Sequence, residues 1–123
     1  MLTMTPELQA YVALAKARHP AIRPHKEDDF DWRDEGMEFL DKGDLAKAEA
    51  KFQQLMLSQP EHSDGYEGLA RLYEKLGRKP YALMLIDHAI VLAERFVKEG
   101  EMDKGFLNDM KQDRERMRAM KGT

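Results

Sequence analysis

Like residues recur at one interval of 34 in this chain of 123, and that spacing narrows the possible folds more than any other feature. Trp32 and Tyr66, Gly36 and Ala70, Phe39 and Tyr73, Gly43 and Gly77, Ala48 and Ala82, and Phe52 and Ile86 are pairs at that offset. Within each copy, apolar residues recur at helical spacing on both sides of the glycine. Each copy therefore reads as two helices joined by a tight turn.

The first copy predicts a helix from about Asp31 to Lys42, with Asp29 or Asp31 as its cap. Gly43 closes it, and Asp44 caps a second helix carrying Leu45, Ala48, Phe52, Leu55 and Met56, which ends before Pro60. Gly36 and Ala48 lack bulk, so the two helices can approach closely while Trp32, Phe39 and Phe52 fill the space around them. The second copy starts at Ser63 or Asp64, where Asp64 and Glu67 have the spacing of a capping box. Its first helix carries Tyr66, Leu69, Ala70, Leu72, Tyr73 and Leu76 and ends at Gly77. The next, from about Lys79, is the most apolar in the chain.

These residues resemble the tetratricopeptide repeat, whose 34-residue unit has an aromatic, a small residue four on, an aromatic three further, then Ala-x-x-x-Phe and Pro. Trp32, Gly36, Phe39, Ala48, Phe52 and Pro60 fall in those places, and Tyr66, Leu69, Ala70, Tyr73, Ala82 and Ala89 follow them in the second copy. The resemblance covers two units, about 29–62 and 63–96. It implies an all-α fold of antiparallel helical hairpins stacked as a short solenoid. Glu94 stands where the pattern calls for proline, so the last helix of the second unit should continue to about Glu99.

About three units are needed to bury a continuous core, so something must complete two. Residues 1–28 supply one helix and a linker. Thr5 can cap that helix, Pro6 suits its first turn, and Leu8, Tyr11, Val12 and Ala15 share a face, before Pro20 ends it near Arg18. It packs on one end of the repeats, or lies in the groove of its own or a neighbouring molecule. In 97–123, after Gly100, Met102, Phe106, Leu107, Met110, Met117 and Met120 mark a last helix that caps the other end against Leu92 and Phe96. Asp113, Arg114, Glu115, Arg116 and Arg118 are expected on its solvated outer face. The alternative role for its methionines is an adaptable second binding surface. The total is about six helices.

The resemblance implies that ligands bind on the concave face of the first helices of each unit. Carried over by spacing, that groove is Phe30, Arg33, Met37, Leu40 and Asp41 in the first unit and Asp64, Glu67, Arg71, Glu74 and Lys75 in the second. It suits a helix or extended peptide with an apolar anchor near Met37 and Leu40 and polar ends near Arg71 and Lys75. The alternative occupant is the chain's own first helix. Some family members grip the C-terminal carboxylate of a chaperone with Lys and Asn. Arg33 could replace the first Lys, but Met37 and Gly68 stand where the asparagines would be, which argues against that ligand.

Net charge is −3 at a pI near 5.8, which disfavours general attraction to nucleic acid or acidic membrane. Residues 29–62 hold nine acids against four bases, so the first unit is the acidic part. The cations of the last helix, Lys111, Arg114, Arg116, Arg118 and Lys121, are interleaved with acids and lack an aromatic platform. With no cysteine, neither disulfides nor thiolate metal sites are available. The start lacks a signal-peptide pattern and no apolar run spans a bilayer, so a cytoplasmic protein is expected.

The acidic run from Asp28 to Asp34 has Arg33 and Asp34 where a calcium loop needs an acid and a glycine. His19, His25, His62 and His88 show no paired-ligand spacing, and His88 reads as a polar-edge residue. No nucleophile or phosphate-loop motif appears. Catalytic residues, cofactors and metals are therefore not expected. The expected function is a non-catalytic adaptor or co-chaperone module binding a protein or peptide. The second possibility is a self-associating assembly protein, such as a homodimer with exchanged terminal helices.

Overall fold

The computed structural model describes residues 4–25 and 30–122, and of Phe30 the backbone only. The described residues form six α-helices and no strands: α1 (Pro6–Arg18), α2 (Phe30–Lys42), α3 (Leu45–Ser58), α4 (Asp64–Lys75), α5 (Lys79–Lys98) and α6 (Lys104–Arg118). Local chemistry sets most of the ends. Thr5 Oγ1 accepts from the Leu8 N–H at 3.2 Å, Asp44 Oδ1 from the Lys47 N–H at 3.3 Å, and Asp103 Oδ1 from the Gly105 N–H at 2.7 Å. Gly43 and Gly77 close α2 and α4 at φ 80° and 72° with one pattern of bonds. Asp44 N–H reaches the Phe39 carbonyl and Arg78 N–H the Tyr73 carbonyl, which satisfies orphaned last-turn oxygens. Gly100 repeats that corner after α5, which runs to Lys98 past Glu94.

One helix start departs from expectation. Asp64 is the first helical residue, one place too late for a capping box, and Ser63 at the cap makes no side-chain cap bond. Asp64 and Glu67 both lie near Arg33 of α2, at 3.7 and 3.9 Å. The expected cap at Asp29 and the calcium-loop acids Asp28 and Asp29 lie outside the described residues.

From α2 onward each helix packs on the next, and α2 also touches α4, and α4 touches α6. At the centre the Phe52 ring is held between two glycines. A Cβ added to Gly36 of α2 would lie 2.6 Å from the ring, and one added to Gly68 of α4 would lie 2.3 Å from it. At Gly65 of α4, likewise, an added Cβ would lie 2.6 Å from the Met56 backbone nitrogen. Gly36 was expected to act this way. Gly68, expected on the groove face, instead lets α4 close on α3. Around this contact Ala48, Ala70, Ala82 and Ala89 are fully buried, with Tyr66, Leu69, Leu72, Leu85 and Ile86 filling the remaining volume. The matched aromatics differ in burial. Tyr66 and Tyr73 are buried, whereas Trp32 and Phe39 are half-covered, with Lys51 and Lys47 ammonium groups each 5.7 Å from their ring centroids.

Helix α1 neither occupies a groove nor covers an end. It lies against α3 and α5 without approaching the α2 backbone. Leu8, Tyr11 and Ala15 are buried there, as their shared face predicts. A directed hydrogen-bond row fastens it. Glu49 Oε2 can only accept, so the Tyr73 hydroxyl donates to it at 2.7 Å and must accept from Tyr11 at 2.9 Å. Tyr11 in turn accepts from Gln53 Nε2 at 3.1 Å. Burial raises both phenols above their ordinary range, so they stay protonated and the row keeps its sense. The linker then runs along the end of α3, where the His25 N–H donates to the Ser58 carbonyl at 3.1 Å.

Gly68→Ala tests the central contact. On an open helix face that change gains about 1 kcal/mol. Here it should lower stability in urea by about 1 to 3 kcal/mol through overpacking. A gain would mean that the Phe52 ring can move aside.

Candidate functional site

Helices α2 and α4 carry all ten residues nominated for a groove, and most of these are tied to one another or to α6. Besides Arg33 with Asp64 and Glu67, Arg71 Nη2 lies 3.3 Å from Glu67 Oε2. Arg71 also donates Nε and Nη2 to Asp113 Oδ2 at 3.2 and 3.1 Å. Arg116 grips both carboxylate oxygens of Glu74 and meets Asp113 Oδ1 at 3.0 Å. Lys75 Nζ donates to the Leu40 carbonyl at 3.0 Å. These bonds form an alternating charge ladder across the three helices.

The residues nominated for the groove have unlike surroundings. Leu40 is buried, Met37 is half-buried against the core, Asp41 is exposed, and the side chain of Phe30 lies outside the described residues. Arg33, Asp64, Glu67, Arg71, Glu74 and Lys75 spend polar atoms on neighbouring helices, because α6 lies beside α4 and draws Arg71 and Glu74 toward it. On α6, Glu115, Arg116 and Arg118 are exposed as expected, but Asp113 and Arg114 are not. Asp113 is only 6% exposed, and Arg114 is half-buried, 3.7 Å from Asp87. The signal was present in the sequence: 113 falls between Met110 and Met117 on the apolar stripe, so a carboxylate there needs a buried partner.

Leu107, Met110 and Met117 seat α6, but Phe106 is 60% exposed. The helix packs on α5, as a cap there requires, but the Phe106 ring is left outside that contact. Instead it forms one wall of a cleft of about 550 Å³, with Phe96, Met102 and Met110 as further apolar surface. Arg33, Asp64, Glu67, Glu101 and Asp103 supply the charges. Ser63 also lines the cleft, and among the described residues its buried Oγ has no hydrogen-bond partner. Burial pushes the Glu67 carboxyl above its usual range, against the opposing pull of Arg71 and then Arg33. A second cleft of about 570 Å³ opens between α1, the linker and α3. Its apolar lining includes Val12, Ile22, Met56 and Leu57, and its charged residues are the cations Lys16 and Arg23.

His88 is buried rather than at a polar edge. Its ring meets Tyr66 at 4.7 Å between centroids, and burial lowers its pKa. Tyr66 donates its hydroxyl to the Pro60 carbonyl at 2.9 Å. Among the described residues no group of three His, Asp or Glu side chains could hold a metal ion, and no helix is long and apolar enough to cross a membrane.

No protein-family model matches the chain, and neither a curated protein nor a solved structure matches it.

Asp113→Ala should cost roughly 1.5 to 3 kcal/mol in denaturant unfolding, because it strips a partly buried guanidinium of its acceptor. A change under about 0.5 kcal/mol, the range of ordinary surface substitutions, would mean that water replaces the carboxylate. His88 gives a pH signature. Its folded pKa lies below its unfolded one, so its contribution is complete above about pH 6.5 and is lost as pH falls through the depressed folded value. His88→Gln should flatten that part of the stability profile. An unaltered slope would place the effect in other groups.

Proposed function

We propose that this chain is a non-catalytic interaction module built on two tetratricopeptide-like hairpins, about 29–62 and 63–96, acting in the cytoplasm. It binds a peptide or helix of a protein partner on the side formed by α2, α4 and α6. Three features support the repeat reading. The matched glycines Gly43 and Gly77 make the same corner, the small residues Ala48 and Ala82 are both fully buried, and α6 touches α5 and α4 much as α4 touches α3 and α2. On this reading 97–123 does more than cap: α6 takes the place of the first helix of a further unit and supplies binding surface.

The observation that carries the proposal is the cleft wall at Phe106. A large aromatic left open beside Met102 and Met110, in a helix whose other apolar residues are buried, is surface without an internal role. Methionines around an aromatic suit a partner whose side chains vary in shape. The binding position therefore shifts from Met37 and Leu40 toward the junction of α4, α5 and α6. Exchange of terminal helices between copies is the weaker reading, since Leu8, Tyr11 and Ala15 of α1 and Leu107, Met110 and Met117 of α6 are buried within one copy.

Phe106→Ala should leave the unfolding midpoint nearly unchanged while removing at least 2 kcal/mol of partner affinity, the loss typical of a central anchor. A photo-crosslinker placed beside it, at Asp109, identifies the partner from the native host. Met37→Ala serves as the comparison. Equal capture by wild type and Phe106→Ala would move the site off this cleft.

A further inference from the structure

We infer that the segment bound in this cleft is cationic and amphipathic, with one bulky apolar side chain for the Phe106 wall and Lys or Arg beside it. The inference rests on the reading of the cleft as a partner site and adds the chemistry of what enters it. Four carboxylates line the cleft, on Asp64, Glu67, Glu101 and Asp103, against one guanidinium, on Arg33. Arg33 is already shared between Asp64 and Glu67, and Glu67 has Arg71 as well. Among the described residues Glu101 and Asp103 have no cation within ion-pairing distance, and the Asp103 carboxylate accepts only from the Gly105 N–H. The opening therefore carries an uncompensated negative charge next to the exposed Phe106 ring and the half-buried Met102.

A partner Lys or Arg satisfies both surfaces at once. Its aliphatic stem lies on Met102 and Phe106, its charged head reaches Glu101 and Asp103, and a guanidinium over the open Phe106 face gains a cation–π contact. The volume, about 550 Å³, holds a few side chains rather than a folded domain. Ser63, 1% exposed with an unpartnered hydroxyl in the cleft wall, offers a polar contact that the chain itself leaves unused. The cleft beside α1 has the opposite sign, with Lys16 and Arg23 as its charged lining, so it repels the same segment. Charge thus directs a cationic helix to one cleft of the two.

Three synthetic helices with one apolar face and Lys, Gln or Glu on the other, each labelled, are titrated into the full chain by fluorescence anisotropy. The Lys peptide should bind about tenfold or more tightly than the Gln peptide, and should weaken as salt is raised. Glu101→Gln combined with Asp103→Asn, where Asn keeps the helix cap, should abolish the preference of Lys over Gln without changing helix content by circular dichroism. Equal binding of the Lys and Gln peptides, lost in both with Phe106→Ala, would overturn the charge inference and leave the cleft reading standing. Preference for the Glu peptide would overturn it as well, as would failure of all three to bind. Binding of the Lys peptide that neither the double variant nor Phe106→Ala weakens would sink the inference and the cleft reading together.

Discussion

The packing depends on a flat ring with a bare backbone on each side of it. Phe52 belongs to α3, Gly36 to α2 and Gly68 to α4, so a single side chain sets how closely three helices approach. A methyl group on either glycine would fall inside the contact distance of carbon on carbon. Because α3 and α4 close so tightly here, α4 also comes within reach of α2, and Arg33 can meet Asp64 and Glu67. The charge ladder, and the cleft at its edge, are consequences of that approach.

Much of the fold was legible because its signals are local. Thr5, Asp44, Gly43, Gly77, Gly100 and Pro20 act within a turn of where they stand, and the helix ends fall close to where they indicate. The uninterrupted α5 followed from Glu94 standing in a proline's place. The position of α1 was not legible. Its apolar face says only that it must be covered, and several surfaces could cover Leu8, Tyr11 and Ala15. The partners that decide among them, Gln53, Tyr73 and Tyr81, lie 42 or more positions away, and no periodicity links them to Tyr11.

The site was legible in composition but not in arrangement. The resemblance, carried over by spacing, implied Arg33, Glu67, Arg71 and Glu74 on one side facing a ligand, and the structure ties them to one another and to α6. Their destination changed because α6 arrives from far along the chain with Asp113 and Arg116. A carboxylate in the middle of an apolar stripe was the clue, and it was outweighed by the run of charges around it. Phe106 failed in the opposite sense. It lies one position before Leu107, and a rotation of 100° per residue separates a buried side chain from an open one. A pattern that marks apolar residues cannot decide which edge of the stripe remains exposed.

The glycines differ in what they demand, and this bears on how the chain could be rebuilt chemically. At Gly36 and Gly68 the limit is volume, since the Cβ of a natural alanine would collide with Phe52. At Gly43 and Gly77 nothing stands within 4 Å of an added Cβ, and only the positive φ excludes a natural side chain. A mirror-image alanine, for which that torsion is the comfortable one, would relieve the backbone strain at both corners and restrict the unfolded chain. The corners discriminate chirality, whereas the clamp on the phenyl ring discriminates size.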